Sequence, residues 1–100
     1  MDNTNSYELC ECTYDSIFQL SSVYSEINNE RVETRKVEIF KDGTMGFADK
    51  HSNNGATLLC DQLMPSIEEI IKDSDCKAKY ISAEEFEDIW KRAISQKVLP

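Results

Sequence analysis

Hydrophobic and polar residues alternate most regularly in the middle of the chain, where the pattern predicts a β-hairpin around Asp42-Gly43. A two-residue turn would mix apolar side chains with a carboxylate on the same face. A three-residue loop ending at Gly43, with this glycine in the left-handed conformation, separates them better. It collects four apolar side chains on one face: Val37, Ile39, Met45 and Phe47. It also sets Arg35 opposite Asp49 as an opposite-charge pair, so we predict this register.

Shorter stretches of alternation predict further strands at residues 7–13, 23–27 and 76–81. Lys77 and Lys79 in the last of these are typical of an edge strand, because their charges oppose pairing with another chain. The hairpin and these three strands are sufficient for one sheet.

Capping residues and apolar spacing predict two helices. Ser66 and Glu69 form a capping box that opens a short helix over residues 66–73. Ser82 opens a longer helix over residues 83–95. The longer helix carries one continuous apolar stripe, made of Phe86, Ile89, Trp90, Ala93 and Ile94. We expect this stripe to lie in the core.

These elements predict an α+β fold, in which a twisted antiparallel sheet of about four to six strands is covered on one face by both helices. One hundred residues correspond to one domain, and nothing in the sequence indicates a linker or a repeat. We therefore expect residues 1–100 to form a single domain, with residues 1–5 as a frayed polar start.

Charge is distributed unevenly along the chain. The net charge is −8, from 11 basic and 19 acidic residues, and the first thirty residues contain no lysine or arginine. Six carboxylates lie in that stretch: Asp2, Glu8, Glu11, Asp15, Glu26 and Glu30. Because they have few basic neighbours in sequence, we expect them to stay unneutralised and to attract a basic partner.

The same features argue against several other functions. An acidic chain repels phosphate, so nucleic acid is not expected as a partner. The apolar runs are too short to span a membrane, and the N-terminal residues do not resemble a signal peptide. We therefore expect a cytoplasmic protein that does not bind membranes.

Four cysteines and one histidine could in principle form disulfides or a metal site. A zinc site would need all four cysteines, or three of them with His51, and the Cys10-Glu11-Cys12 spacing is not that of a zinc knuckle. In a reducing cytosol we expect the cysteines to remain thiols that pack as small hydrophobic residues. The set comprises Cys10, Cys12, Cys60 and Cys76. Neither a metal ion nor another cofactor is predicted.

The polar loop after the hairpin brings catalytic residue types together, namely Asp49, His51 and Ser52. The members of a catalytic triad normally come from different elements, however, and the chain contains no glycine-rich phosphate loop. We therefore assign no catalytic residue and do not predict an enzyme. The alternative hypothesis is a small-molecule-binding or enzymatic domain that uses the loop of residues 49–55.

Four segments resemble a family of small, functionally uncharacterised bacterial domains. They are VYSEI at residues 23–27, ERVETRKVEIFKDGTMGFAD at residues 30–49, PSIEEI at residues 65–70 and ISAEEFEDIW at residues 81–90. The likeness spans residues 23–94, while the N-terminal strand departs from it by its cysteine pair and its lack of basic residues. Some members look like immunity proteins encoded beside polymorphic bacterial toxins, including those of contact-dependent growth inhibition.

This resemblance and the charge lead to one functional hypothesis. The resemblance implies an immunity protein that neutralises a cognate toxin domain; such toxins are often cationic nucleases, and an RNase is the expected activity. An acidic inhibitor can occlude the active site of a nuclease by mimicking phosphate charge. We expect a monomer that forms a 1:1 heterodimer with the toxin domain. The predicted partner-binding residues are Tyr24, Glu26, Glu30, Glu33, Asp49 and His51.

Overall fold

The structure, a computed structural model, describes residues 5–12, 20–54, 57–72 and 76–96. The described strands are β1 (Ser6–Cys12), β2 (Leu20–Ile27), β3 (Glu33–Phe40), β4 (Met45–Asp49) and β5 (Cys76–Tyr80). The described helices are α1 (Ile67–Ile70) and α2 (Ala83–Gln96). Residues 1–4 of the predicted frayed start and two of the N-terminal carboxylates, Asp2 and Asp15, lie outside the described residues.

The strands form one antiparallel sheet in the order β4-β3-β2-β1-β5. The first four follow one another as a meander, because consecutive strands pair with each other. β5 pairs with the outer side of β1, and its Lys77 and Lys79 are exposed at the sheet edge as predicted. The predicted α+β fold with an antiparallel sheet is therefore confirmed. Within the described ranges, none of the helices has the length and apolar character needed to cross a membrane.

The β3–β4 hairpin has the predicted register. Val37 pairs with Phe47 across the two strands. The backbone N–H of Phe40 donates to the carbonyl of Thr44 at 2.9 Å, which closes the three-residue loop. Gly43 has a φ of +91°, the left-handed region that glycine enters without steric cost. The turn chemistry and the separation of the two faces thus agree on one register.

α2 packs its apolar stripe against the sheet face that carries Val37 and Phe47. Phe86 is fully buried and Trp90 is 8% exposed. The rings of Phe47 and Trp90 meet edge to face with centroids 5.5 Å apart, a favoured aromatic geometry. The stripe therefore lies in the core as predicted, with the exception of Ile94, which is 39% exposed.

The opposite face of the sheet contacts an extended segment of residues 57–66, called the strap below. Its contacts are polar: Lys36 Nζ donates to the carbonyl of Leu58 at 2.9 Å, and Thr57 Oγ1 donates to Glu38 at 2.7 Å. These two β3 side chains lie away from α2 because they alternate with the core residues of the strand. α1, which follows the strap, contacts β5. The two helices therefore contact mainly different strands of the sheet, since α2 contacts β2, β3 and β4.

The strap approaches the sheet most closely at Gly46. A Cβ atom at this position would overlap Oγ1 of Thr57, so any side chain would require Thr57 to shift. The strap ends where the predicted capping box opens α1. There the backbone N–H of Glu69 donates to the Ser66 hydroxyl at 3.2 Å, and the Glu69 carboxylate accepts from the Ser66 N–H at 3.2 Å.

The prediction that all four cysteines remain thiols is wrong for Cys76, which is disulfide-bonded. The backbone of Cys76 pairs with that of Cys12, whose side chain lies outside the described residues. Cys60 carries a thiol that donates to the carbonyl of Gln62 at 3.4 Å. The fold therefore includes a disulfide at the first residue of β5.

We expect Trp90→Ala to lower the free energy of unfolding by about 3–5 kcal/mol, because it removes a large buried ring that its surroundings can replace only in part. Ile94→Ala in the same helix is the matched control. Since Ile94 is 39% exposed, its truncation should cost about 1 kcal/mol or less. Urea denaturation followed by circular dichroism measures both variants. Equal losses would contradict the assignment of Trp90 to the core.

We expect the fold to survive reduction of the disulfide at Cys76, because β5 is also held by backbone pairing with β1 and by contact with α1. Reduction should lower the free energy of unfolding by no more than about 2–4 kcal/mol. Thermal unfolding with and without reductant measures the change. Loss of the cooperative transition in reductant would show that β5 depends on the disulfide.

Candidate partner-binding surface

The six predicted partner-binding residues are divided between both faces of the sheet and two loops. The α2 face of the sheet holds three of them: Tyr24, Glu26 and Asp49. Glu33 lies on the strap face, where it contacts strap residue Cys60. Glu30 is exposed in the turn before β3, and His51 is exposed in the loop after β4. The structure therefore brings together only part of the predicted set.

Glu26 makes the best-defined charge contact on the α2 face. Its carboxylate accepts hydrogen bonds from Nε and Nη2 of Arg35, at 2.8 and 2.7 Å. The hydroxyl of Thr34 donates to the same carboxylate at 2.8 Å. The bonds from Arg35 lower the pKa of Glu26, although burial alone would raise it. Glu26 is 7% exposed, so this carboxylate is a structural ion-pair partner and not an open binding group.

Arg35 connects the sheet to α2 through charge and through aromatic contact. Its guanidinium carbon lies 4.9 Å from the ring centroid of Phe86 and 5.1 Å from that of Trp90, within cation–π range. Its Nη atoms also donate to the carboxylate of Glu87 in α2. The hydrogen bonds to Glu26 are the main cause that raises the pKa of Arg35. Arg35 therefore stays charged and fixes α2 on the sheet.

Asp49 organises the loop after β4 instead of pairing with Arg35. The two residues are opposite each other in the predicted register, but the Asp49 carboxylate accepts the backbone N–H groups of His51 and Ser52, both at 2.8 Å. Partial burial would raise the pKa of Asp49, but these hydrogen bonds lower it. The predicted side-chain pair is therefore wrong. The geometry is that of an Asx turn and does not align a catalytic triad.

Glu33 is the most deeply buried of the six residues, with a side chain that is 0% exposed. The hydroxyl of Ser25 donates to it at 2.7 Å, and the backbone N–H of Cys60 donates at 2.8 Å. Lys36 Nζ lies 3.3 Å from the carboxylate. A carboxylate enclosed in this way binds the strap to the sheet, and an external partner does not reach it.

Arg31 makes the corresponding contact with Glu8. Its Nη1 and Nη2 atoms donate to the two carboxylate oxygens at 2.8 and 3.3 Å, and these bonds are the main cause that raises the pKa of Arg31. The guanidinium also donates to the carbonyls of Met64 and Pro65 in the strap. Sequence reasoning missed this role. The available signal was that Arg31 is the first basic residue after thirty residues without one.

The prediction that the N-terminal carboxylates stay unneutralised is wrong for two of them. Glu8 and Glu26 are buried and are paired with Arg31 and Arg35. The prediction counted basic neighbours along the sequence, whereas chain turns and antiparallel pairing bring cations from further along the chain to these strands. Among the described carboxylates of the N-terminal third, the exposed ones are Glu11 and Glu30.

Two exposed carboxylates lie beside Tyr24 on the α2 side. Glu11 is near the end of β1 and Glu85 is in the first turn of α2. Burial raises the pKa of Tyr24, and the charges of Glu85 and Glu11 raise it further. The hydroxyl of Ser22 donates to Glu11 at 3.3 Å. This group is the accessible part of the predicted acidic surface on the α2 side.

Side chains suited to other chemistry are not gathered in the described part of the chain. Within the described ranges, no group of three or more His, Cys, Asp or Glu residues is arranged to hold a metal ion. Burial raises the pKa of the Cys10 thiol, and the charges of Glu11 and Glu8 add to the effect. A thiol with a raised pKa is a poor nucleophile at neutral pH.

A family model matches residues 13–95, which is most of the chain. The chain belongs to DUF6881, a family of domains of unknown function. This confirms the resemblance to an uncharacterised domain family, whereas the likeness of some members to immunity proteins stays a prediction. Comparisons with curated proteins and with solved structures give no match.

Glu26→Gln tests the ion pair on the α2 face of this DUF6881 domain. The substitution leaves Arg35 without its main partner, so we expect the free energy of unfolding at neutral pH to fall by about 3–5 kcal/mol. The matched control is Glu87→Gln, which removes the other carboxylate from the same guanidinium. The Glu87 side chain is 43% exposed, so the control should lose about 1 kcal/mol or less. Urea denaturation measures both variants.

The pH dependence provides a second readout for Glu26→Gln. The folded-state pKa of Glu26 lies below its ordinary value of 4.5, so its stabilising contribution is complete above that value and is lost as the pH falls through the folded-state pKa. The stability difference between wild type and variant should therefore shrink under acid conditions. A difference that stayed constant down to about pH 2 would contradict the ion pair.

Proposed function

We propose that this protein is an immunity protein that binds a cognate basic toxin domain and neutralises it by occluding its active site. The toxin domain is a nuclease of the contact-dependent growth inhibition type, with RNase as the expected activity. The complex is a 1:1 heterodimer in the cytoplasm, and it involves no nucleic acid, membrane lipid or cofactor on the side of the immunity protein.

The observation that carries this proposal is where the excess negative charge lies. Three carboxylates are buried: Glu8, Glu26 and Glu33. Each contacts a cation: Glu8 contacts Arg31, Glu26 contacts Arg35, and Glu33 contacts Lys36. These three contacts are balanced one to one, so the net charge of −8 is carried by side chains outside them. Accessible negative charge is what a basic partner recognises.

Occlusion follows from the same charge. A nuclease holds phosphate with lysine and arginine side chains, and surface carboxylates can oppose those side chains in place of phosphate. Attraction between the two surfaces also speeds their encounter, and salt screens this attraction over roughly 8–10 Å at physiological ionic strength. Association that slows with rising salt is therefore the kinetic signature of this mechanism.

The alternative, a small-molecule-binding or enzymatic domain that uses the loop of residues 49–55, has weaker support. In the described part of that loop, residues 49–54, the Asp49 carboxylate accepts two backbone hydrogen bonds and closes a turn. His51 is exposed to solvent. We assign no catalytic residue and retain binding as the proposed function.

The neighbouring gene provides the test. We expect it to encode a large secreted protein with a basic C-terminal domain. That domain, expressed in the cytoplasm, should arrest growth and degrade RNA, and co-expression of this protein should restore growth. An unrelated acidic protein of similar size and net charge is the control and should not restore it. A metabolic operon at this locus, or growth arrest that co-expression does not relieve, would overturn the proposal.

A further inference from the structure

We infer that the basic partner binds on the strap side of the sheet, at an exposed apolar patch around Arg31 that is bordered by carboxylates. This inference rests on the proposed function and names the surface that serves it. The apolar members are Val32, Leu63 and Tyr80, and the bordering carboxylates are Glu30 and Glu68. We call these five residues, with Arg31 at their centre, the Arg31 patch.

Backbone contacts place Leu63 beside Val32. The carbonyl of Arg31 accepts the backbone N–H of Met64 at 2.8 Å, so the strap runs alongside the turn before β3. Leu63 precedes Met64 and Val32 follows Arg31, and both side chains are exposed, at 69% and 38%. The strap and the turn therefore contribute to one surface.

Tyr80 joins this surface from β5. It is the backbone partner of Glu8, whose carboxylate binds the Arg31 guanidinium at 2.8 Å. Tyr80 is 62% exposed. After the hydrogen bonds that Arg31 donates to Glu8, the proximity of Tyr80 and of Glu68 also raises the pKa of Arg31. Three separate elements, the turn, α1 and β5, thus meet at one guanidinium.

The turn at Arg31 is held in a conformation that few residues other than glycine adopt. Arg31 has a φ of 65°, in the left-handed region. The side-chain carbonyl of Asn28 accepts the backbone N–H groups of Glu30 and Val32, at 2.9 and 3.0 Å, and fixes the turn. The result is that Arg31 reaches the strap while Glu30 and Val32 stay exposed.

The strap makes polar contacts with the sheet and exposes two of its three leucines. Beneath it lie the buried carboxylates of Glu8 and Glu33, while Leu58 and Leu63 are 66% and 69% exposed. Burial of apolar surface is the main favourable term in folding and in association, and isolated domains rarely expose several large apolar side chains together. An arrangement that encloses carboxylates and exposes leucines is explained if a partner covers the leucines.

The charge around the patch identifies the chemistry of that partner. Glu8 neutralises Arg31 at the centre, so the border carboxylates determine the local field. The complementary surface has an apolar or aromatic centre and a border of lysine and arginine, which is the usual division between the core and the rim of an interface. On the α2 side, the large apolar residue that is exposed in the described part of the helix is Ile94. That side therefore offers carboxylates without a comparable apolar centre.

The probe for the test is the basic C-terminal domain encoded by the adjacent gene. Leu63→Ser combined with Tyr80→Ala should weaken its binding at least about tenfold, because both side chains lie at the interface centre. Glu30→Lys combined with Glu68→Lys should slow association at low salt and reduce its salt dependence. The matched controls on the α2 side are Ile94→Ser and the pair Glu84→Lys with Asp88→Lys. Each control should change affinity by no more than about twofold.

The outcomes separate this inference from the proposed function. If the α2-side variants weaken binding and the patch variants do not, the inference is overturned while the immunity function stands. If the wild-type protein does not bind the domain, both fall. Hydrogen exchange of the wild-type complex gives a readout that needs no variant: we expect new protection in residues 28–32 and 58–66, and protection confined to α2 would overturn the inference. Urea denaturation establishes that each variant is folded.

Discussion

Carboxylates inside the sheet constrain the rest of this structure, because a buried charge without a partner costs several kcal/mol and a paired one is tolerated. Glu26 is paired with Arg35, which also lies against the aromatic rings of α2. Glu33 contacts Lys36 and a backbone N–H of the strap, and Glu8 binds the guanidinium that also holds strap carbonyls. Each pair therefore attaches an outer layer, either α2 or the strap, to the sheet.

The two layers are attached by different physical means. α2 buries Phe86 and Trp90 against the sheet, so apolar burial supplies most of the contact and Arg35 orients it. The strap is attached by hydrogen bonds from and to charged side chains of the sheet and the turn, and Gly46 leaves room for it to approach the sheet at Thr57. Hydrogen bonds and ion pairs require defined donor and acceptor positions. The strap is therefore held in one register on the sheet.

Local patterns predicted the elements of this fold well, because alternation, capping and turn chemistry act over a few residues. The hairpin register followed from the position of Gly43 and from the separation of apolar side chains, and the stripe on α2 followed from helical spacing. The candidate site was predicted less well. Whether Glu26 and Glu33 are exposed depends on which cation the fold brings beside them. Arg35, for example, lies close to three acidic residues: Glu26, Asp49 and Glu87. The order of residues in the sequence does not indicate which of the three binds its guanidinium.

The pairing of buried charges also bears on where a partner can bind. Arg31, Arg35 and Lys36 are each paired with an interior carboxylate. Arg35 also contacts the more exposed Glu87, and Lys77 lies opposite Glu11 across β1 and β5. The charged groups beneath the strap require polar contacts. Two of its leucines, Leu58 and Leu63, face solvent, whereas Leu59 and Met64 are partly buried. Negative charge and exposed apolar surface thus lie together on the strap side, where Glu8 and Glu33 are paired inside the sheet.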